Sequence, residues 1–200
     1  AHAWVAHRLG DDTAKEQGRL TLSPRAHIDP VGTLLVPAMA TLLGGIGFIA
    51  WARPVPYSPD RFRQGISPRF GSALVGLAGP LSNVALAGLF VGVFALLKHT
   101  PVPLYRLEND PSAVTLASLT PLGLLLWVMF QTNVALAVFN LLPFPPLDGQ
   151  HLLPTVLRPV ARYGLIALIG VALYRPGLLG ALLEPPRRWL GGLLTALVGL

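Results

Sequence analysis

Long runs without charge alternate along this chain with short polar connections rich in arginine and proline. Residues 31 to 52, "VGTLLVPAMATLLGGIGFIAWA", carry no charge over 22 positions, and residues 71 to 97, "GSALVGLAGPLSNVALAGLFVGVFALL", none over 27. Each is long enough to cross about 30 Å of hydrocarbon as a helix, which takes about 20 residues. A third uncharged run, Ser112 to Leu147, has 36 positions, so part of it must be irregular or interfacial. Proline lacks the amide donor and clashes with the preceding turn, which places the expected end of this helix at "PFPP", residues 143 to 146. A fourth segment, from about Tyr163 to Leu183, is apolar except for Arg175 and is interrupted by Pro176 and Gly177, giving two short helices or one kinked one. The last twelve residues, "WLGGLLTALVGL", are too short to cross alone and read as interfacial or re-entrant.

The pattern predicts an all-α polytopic membrane protein of one domain, residues 1 to 200, with about four membrane segments. Between the first two lies a stretch of another kind. "ARPVPYSPDRFRQG", within residues 51 to 70, alternates prolines with apolar residues and cannot be a membrane helix, so a non-helical re-entrant or loop segment is expected there.

Composition supports the membrane reading, because 52% hydrophobic and 12% charged residues with a mean hydropathy of +0.59 lie far from the roughly 25% charged of soluble domains. The 21 glycines and 20 prolines agree, both being commoner in membrane helices. A net charge of +6 raises nucleic acid as a partner, but the basic residues are scattered beside apolar spans, where lipid headgroups explain them better. Arg8, Lys15, Arg19 and Arg25 precede the first span while Arg53, Arg61, Arg63 and Arg69 follow it, so charge placement does not orient the chain. With no cysteine, disulfides, thiolate metal sites and cysteine nucleophiles are excluded, leaving His, Asp and Glu as metal ligands.

Polar residues within or beside the spans are few: His2, His7, Asn83, Asn133, Asn140, Asp148, His151 and Arg175. Groups of this kind at membrane depth usually face a cavity, a partner or a metal. Asp148 is the only acid between Asp110 and Glu184. On chemistry alone it is either an interfacial carboxylate capping the next helix, with Gly149 as the turn, or a functional group. Asn83 and Asn140 stand equally open between helix-to-helix hydrogen bonding and a role in a site. His7 lies five residues after His2, about 140° around a helix, and is a poor partner for one metal. His27 reads as an interface or turn residue, and His151 could share a face with Asp148 if a helix begins there.

Five residues in "NLLPFPPLDG" decide between these readings. Asn140, Pro143, Pro145, Asp148 and Gly149 complete an Asn-x-x-Pro-x-Pro-x-x-Asp-Gly stretch, and with "GRLTLSPRAHIDPVGT" (18 to 33), "WARPVPYSPDRF" (51 to 62) and "LAGPLSN" (77 to 83) the chain resembles the site-2 protease family of intramembrane zinc metalloproteases. The resemblance covers about residues 1 to 153. That family also carries His-Glu-x-x-His on a membrane helix, of which only the last two positions, Ala1 and His2, are present. Read in register, the first His and the Glu would lie four and three residues before His2. The chain opens inside a helical pattern ending near Gly10, without a cap or an initiator methionine, and is expected to be a fragment.

The resemblance implies Zn²⁺ held by the two histidines and by Asp148, with the upstream Glu as general base and Asn83 and Asn140 as auxiliary groups near the oxyanion. Zinc would polarise the peptide carbonyl and lower the pKa of its water toward about 7. The implied activity is hydrolysis of peptide bonds in membrane-anchored protein substrates at a bacterial inner membrane, with residues 51 to 70 lying where an unwound substrate could add as a strand. Two other readings stand beside it: a non-catalytic member of the family that binds membrane proteins, and a small transporter using Asp148 as an ion site.

Overall fold

A computed structural model describes residues 1–35, 38, 52–97, 99–104, 119–157, 160–161, 163–164, 166–167, 170 and 174–197. Most of the first predicted span, 31 to 52, falls outside them, as do residues 112–118 of the third apolar run. Among the described residues five α-helices have both ends described: α1 His2–Arg8, α2 Thr13–Glu16, α3 Pro68–Leu97, α4 Pro121–Asn140 and α5 Pro176–Leu197. Among the described residues there is no β-strand. The chain forms two compact units, Ala1–Val75 and Gly76–Leu200, with the boundary inside α3.

In the first unit, α1 ends where the sequence places its stop. Gly10 adopts φ 107°, its amide bonds to the His7 carbonyl at 3.0 Å, and the Asp11 amide bonds to the Ala6 carbonyl at 3.0 Å. This pairing closes a helix with a left-handed residue that only glycine adopts without strain. The same device recurs after α2, where Gly18 has φ 66° and the Arg19 amide reaches the Ala14 carbonyl at 2.7 Å. Between the two helices Asp11 is fully buried. Its Oδ1 accepts from the Thr13 amide and hydroxyl, and its Oδ2 accepts from the Ser58 amide at 2.6 Å.

Ser58 belongs to the proline-rich stretch, so one carboxylate ties that stretch to the turn after α1. Arg63 donates its amide to Leu9 at 2.8 Å, Arg53 donates to His27 at 3.0 Å, and Arg61 pairs with Glu16 at 2.9 Å. As predicted, residues 52–58 are not helical, and they continue into a single 3₁₀ turn, Pro59–Arg61. The expected boundary at residue 70 is corrected to Pro68, because proline at the first helical position is pre-set for helix and needs no amide partner.

Two helices are long and apolar enough to cross a membrane: α3, 30 residues, and α4, 20 residues. That is fewer than the four segments predicted. The π-helical turn Pro30–Leu35 marks the start of the first predicted span, and residues described between 160 and 174 are helical, but neither stretch forms a helix of spanning length within the described residues. The fourth segment is broken at Arg175, as Pro176 and Gly177 suggest, and α5 starts there. Residues 189–197, the described part of the last twelve, are not a separate piece: α5 runs unbroken from Pro176 through Pro185 and Pro186 to Leu197. Glu184 spans the double proline with ion pairs to Arg187 at 3.6 Å and Arg188 at 2.9 Å, the i+3 and i+4 spacings that support a helix.

In the second unit α3, α4 and α5 share one core. Ala87 and Val91 of α3 meet Phe130 and Val134 of α4, with Phe90, Trp127 and Leu190 packed around them. Helix α4 begins at Thr120, whose hydroxyl accepts from the Gly123 amide at 3.2 Å and donates to the Pro103 carbonyl at 2.8 Å. It ends at Asn140, three residues before Pro143 and not at "PFPP" as expected. The reason is steric: the Pro143 ring excludes helix geometry for the residues ahead of it, so its effect is felt upstream.

The Asp11 carboxyl is driven up by burial, but its hydrogen bonds to Thr13 and Ser58 and the nearby Arg61 charge outweigh this and hold it below its ordinary value. A carboxyl depressed in the folded state contributes stability above its unfolded pKa and loses it as pH falls through the folded one. Asp11→Ala is therefore expected to destabilise the first unit by about 2 kcal/mol or more at neutral pH, since bonds to a charged acceptor are lost and buried donors are left unpaired. In thermal melts the difference from the parent should shrink as pH drops below the usual carboxylate range; a difference that stays constant to strongly acidic pH would contradict the assignment.

Candidate metal centre

His2 sits in the first turn of α1, half-buried, on a helix whose Ala3 and Ala6 are buried. Its Nδ1 lies 2.7 Å from the Val75 carbonyl oxygen. A carbonyl can only accept, so Nδ1 is a donor, and in the neutral ring this tautomer puts the lone pair on Nε2. Metal-bound histidines are held in this way, one ring nitrogen donating to a carbonyl and the other facing the metal. The same bond fixes the ring's orientation.

Asp148 lies in the second unit, and a chain of close approaches places it. After α4 the backbone turns through Leu141 and Leu142 and passes a cis bond between Pro145 and Pro146. The Leu147 amide closes on the Phe144 carbonyl at 2.8 Å. The chain then folds back so that Gly149 is buried against the start of the turn: a Cβ there would stand 2.2 Å from the Leu141 oxygen and 2.4 Å from that of Leu142. No side chain fits, which is the physical reason for glycine after the aspartate. The Leu141 and Leu142 carbonyls thus crowd Gly149.

Asp148 is the first residue of a 3₁₀ turn, Asp148–Leu152, and Leu147 is its cap, so the capping reading of Asp148 is not what forms. Residues i and i+3 of such a turn eclipse, so Asp148 and His151 share a face. Helix α3 approaches this turn at Gly76, where a Cβ would lie 2.9 Å from the Asp148 carbonyl oxygen, 2.9 Å from His151 Cβ and 3.1 Å from His151 Cδ2. Phe144 in turn covers Gly164, with ring carbons 2.4 Å from where its Cβ would be.

The other polar candidates separate cleanly. Asn83 is half-buried on α3, one turn beyond Gly79, and Asn140 is the half-buried last residue of α4. Asn133 is buried and donates to the Met129 carbonyl of its own helix at 2.8 Å, a structural role. His7 pairs with Asp12, and His27 Nε2 lies 2.9 Å from the Thr21 carbonyl, the turn role expected of it. Arg175 lies over the ring of Tyr174, 5.8 Å from its centroid. Three residues were missed from the sequence: Asp11, for which the Asp-x-Thr spacing was a legible turn signal, and Val75 with Gly76, for which the only hint was glycine at 76 and 79 on one helix face.

Among the described residues no group of three His, Cys, Asp or Glu side chains is placed to hold a metal ion. His2 and Asp148 are nevertheless of the right type, an imidazole of fixed orientation and a hard carboxylate, and both suit zinc. The model for peptidase family M50 matches residues 7–174. The chain belongs to that family, the site-2 proteases. It is 43% identical over 163 residues to a Bacillus subtilis protein named "Putative zinc metalloprotease YwhC", covering 81% of this chain and 64% of that one. A Mycolicibacterium smegmatis protein named "Putative zinc metalloprotease Rip2" is 33% identical over 186 residues, 88% of this chain and 62% of its own. The Mycobacterium tuberculosis protein of the same name is 36% identical over 159 residues, with 79% and 52% covered. The chain thus spans between about half and two thirds of the length of these relatives. No solved structure matches it.

The close approaches set an order of sensitivity for this M50 chain. Gly149→Ala puts a methyl within 2.2 Å of backbone and should open the 141–153 turn, seen as lost amide protection in hydrogen exchange across those residues. Gly76→Ala, at 2.9 Å, should raise exchange only around 148–151. Gly92→Ala on the same helix meets nothing within 4 Å and should leave the turn as it was. Equal effects at 76 and 92 would refute the packing described.

Proposed function

We propose that this chain is the greater part of the membrane-embedded domain of a zinc metalloendopeptidase that cuts membrane-anchored protein substrates within the bilayer. The observation that carries the reading is the bond from His2 Nδ1 to the Val75 carbonyl, which orients the ring as in metal-bound histidines, in a chain of family M50. His2 and Asp148 would hold the ion. The reading also requires a second histidine and a glutamate four and three residues ahead of His2, on the same helix. Bound there, Zn²⁺ would act as a Lewis acid toward the scissile carbonyl and the attacking water.

The chain's own residues have distinct tasks. The Val75 carbonyl holds the neutral His2 ring in one tautomer, so the metal does not have to compete with a proton on Nε2. Gly149 and Gly76 let backbone come close enough to hold Asp148 on a rigid turn, so that little reorganisation is needed on metal binding. Asn83 and Asn140 are amide donors on the two helices of spanning length, suited to orienting a substrate carbonyl or to accepting charge that develops on its oxygen. A membrane-anchored substrate fits such helices, and a multi-pass location in a bacterial inner membrane follows from the same reading.

The test uses the protein extended upstream through the complete His-Glu-x-x-His. About one zinc per chain is expected by elemental analysis. His2→Ala and Asp148→Ala should each remove most of it while helicity by circular dichroism is retained. Asn83→Ala and Asn140→Ala should keep the zinc and lower kcat on a membrane-anchored substrate by about 10²-fold, as loss of an oxyanion donor does. Full zinc occupancy in Asp148→Ala would sink the assignment, and bound zinc without cleavage of any membrane-anchored substrate would favour a non-catalytic binding protein.

A further inference from the structure

A groove of about 390 Å³ runs between α4 and α5, lined by Gln131, Thr132, Ala135, Leu136 and Phe139 of α4 and by Arg187 of α5. The five α4 residues follow the spacing i, i+1, i+4, i+5, i+8 and so form one strip along the helix. The volume would hold roughly a dozen waters, more than a bare ion needs. Its walls are chiefly apolar, with Gln131 and Thr132 as neutral polar groups and the Arg187 guanidinium as the one charge among the lining residues.

That guanidinium is incompletely paired. Arg187 Nε is buried and has no hydrogen-bond acceptor among the described residues. Its Nη1 reaches Glu184 at only 3.6 Å, while the same carboxylate makes its short contact, 2.9 Å, with Arg188 Nε. Two cations share one anion, so the cluster keeps a net positive charge, and a buried donor is left wanting an acceptor. Next along α5, Arg188 is highly exposed and Trp189 is 70% exposed, the residue types that anchor a helix at headgroup level.

We propose that this groove binds an anionic phospholipid, with Arg187 taking the headgroup phosphate and the strip from Gln131 to Phe139 taking the start of an acyl chain. The charge supplies the headgroup's complement, and basic pockets between membrane helices hold anionic lipids in this manner. The apolar wall supplies the rest, since Ala135, Leu136 and Phe139 offer a free phosphate ion nothing. The α4 helix is of spanning length and exposes Leu124, Leu125, Val128, Met129 and Leu136, so lipid is the molecule it meets most often. None of its lining residues is a proposed metal ligand, and the proposal does not depend on how the metal centre is read.

Native mass spectrometry of the delipidated chain in non-ionic detergent, titrated with phosphatidylglycerol or phosphatidylcholine, tests this. Both headgroups carry a phosphate, but choline's own cation offsets it, so phosphatidylglycerol should bind about fivefold tighter or more, the value of one basic side chain facing a net anionic headgroup. Arg187→Gln should abolish that preference, whereas Arg188→Gln, which frees Glu184 for Arg187, should lower it less. Leu136→Trp fills the groove without changing charge and should weaken both lipids. Equal binding of the two lipids by the parent chain overturns the proposal, as does displacement of phosphatidylglycerol by millimolar inorganic phosphate, which would make the site one for free anions. If Arg187→Gln loses helicity, Leu136→Trp decides, and undiminished lipid binding by that variant counts against the groove.

Discussion

A backbone amide or carbonyl shut away from water must find a partner inside the protein, at a cost of several kcal/mol when it does not, and in hydrocarbon no water is at hand to help. Each helix end here is organised around that requirement. The ends of α1 and α2 close through Gly10 and Gly18, the start of α4 through the Thr120 hydroxyl, and the turn between α1 and α2 through the buried Asp11 carboxylate. The polar side chains inside the spanning helices obey it too. Asn133 turns back to Met129, and Ser82 donates to the Gly79 carbonyl at 2.7 Å beside Pro80, where the amide ladder is interrupted.

The proposed ligands inherit their geometry from the same bookkeeping of donors and acceptors. His2 has its orientation because a helix carbonyl accepts from Nδ1. Asp148 has its position because the residues after α4 cannot remain helical ahead of Pro143, and because Gly149 lets the returning chain press on the Leu141 and Leu142 carbonyls. One ligand is held by a hydrogen bond and the other by close packing. These are different kinds of constraint, the first strongly directional and the second intolerant of added volume.

Asp11 and Arg187 illustrate opposite fates for a buried polar group. The Asp11 carboxylate is saturated by three donors and knits the proline-rich stretch 52–63 to the turn after α1, which gives that stretch a defined course without a strand or a helix. Arg187 keeps a donor with no acceptor among the described residues, on a helix that exposes Arg188 and Trp189 beside it. A satisfied group rigidifies the fold, while an unsatisfied one invites an external acceptor. Membership of family M50 does not by itself predict either arrangement.

Much of the fold was legible before any coordinates. Uncharged runs of 27 and 36 residues announced α3 and α4, Gly10 announced the end of α1, Pro176 the start of α5, and the spacing from Asn140 to Gly149 announced the family and Asp148 as a candidate ligand. These features are local, written in periodicity, in the conformational freedom of glycine and in proline's missing amide. Other features were not local. That residues 189–197 extend α5, that α4 stops at Asn140, that His2 bonds to a carbonyl 73 positions away and that Gly76 admits Asp148 and His151 all depend on which residues meet across the fold. Hydrogen-bond partners and contacts within 3 Å are properties of pairs distant in sequence, so only the tertiary structure could decide them.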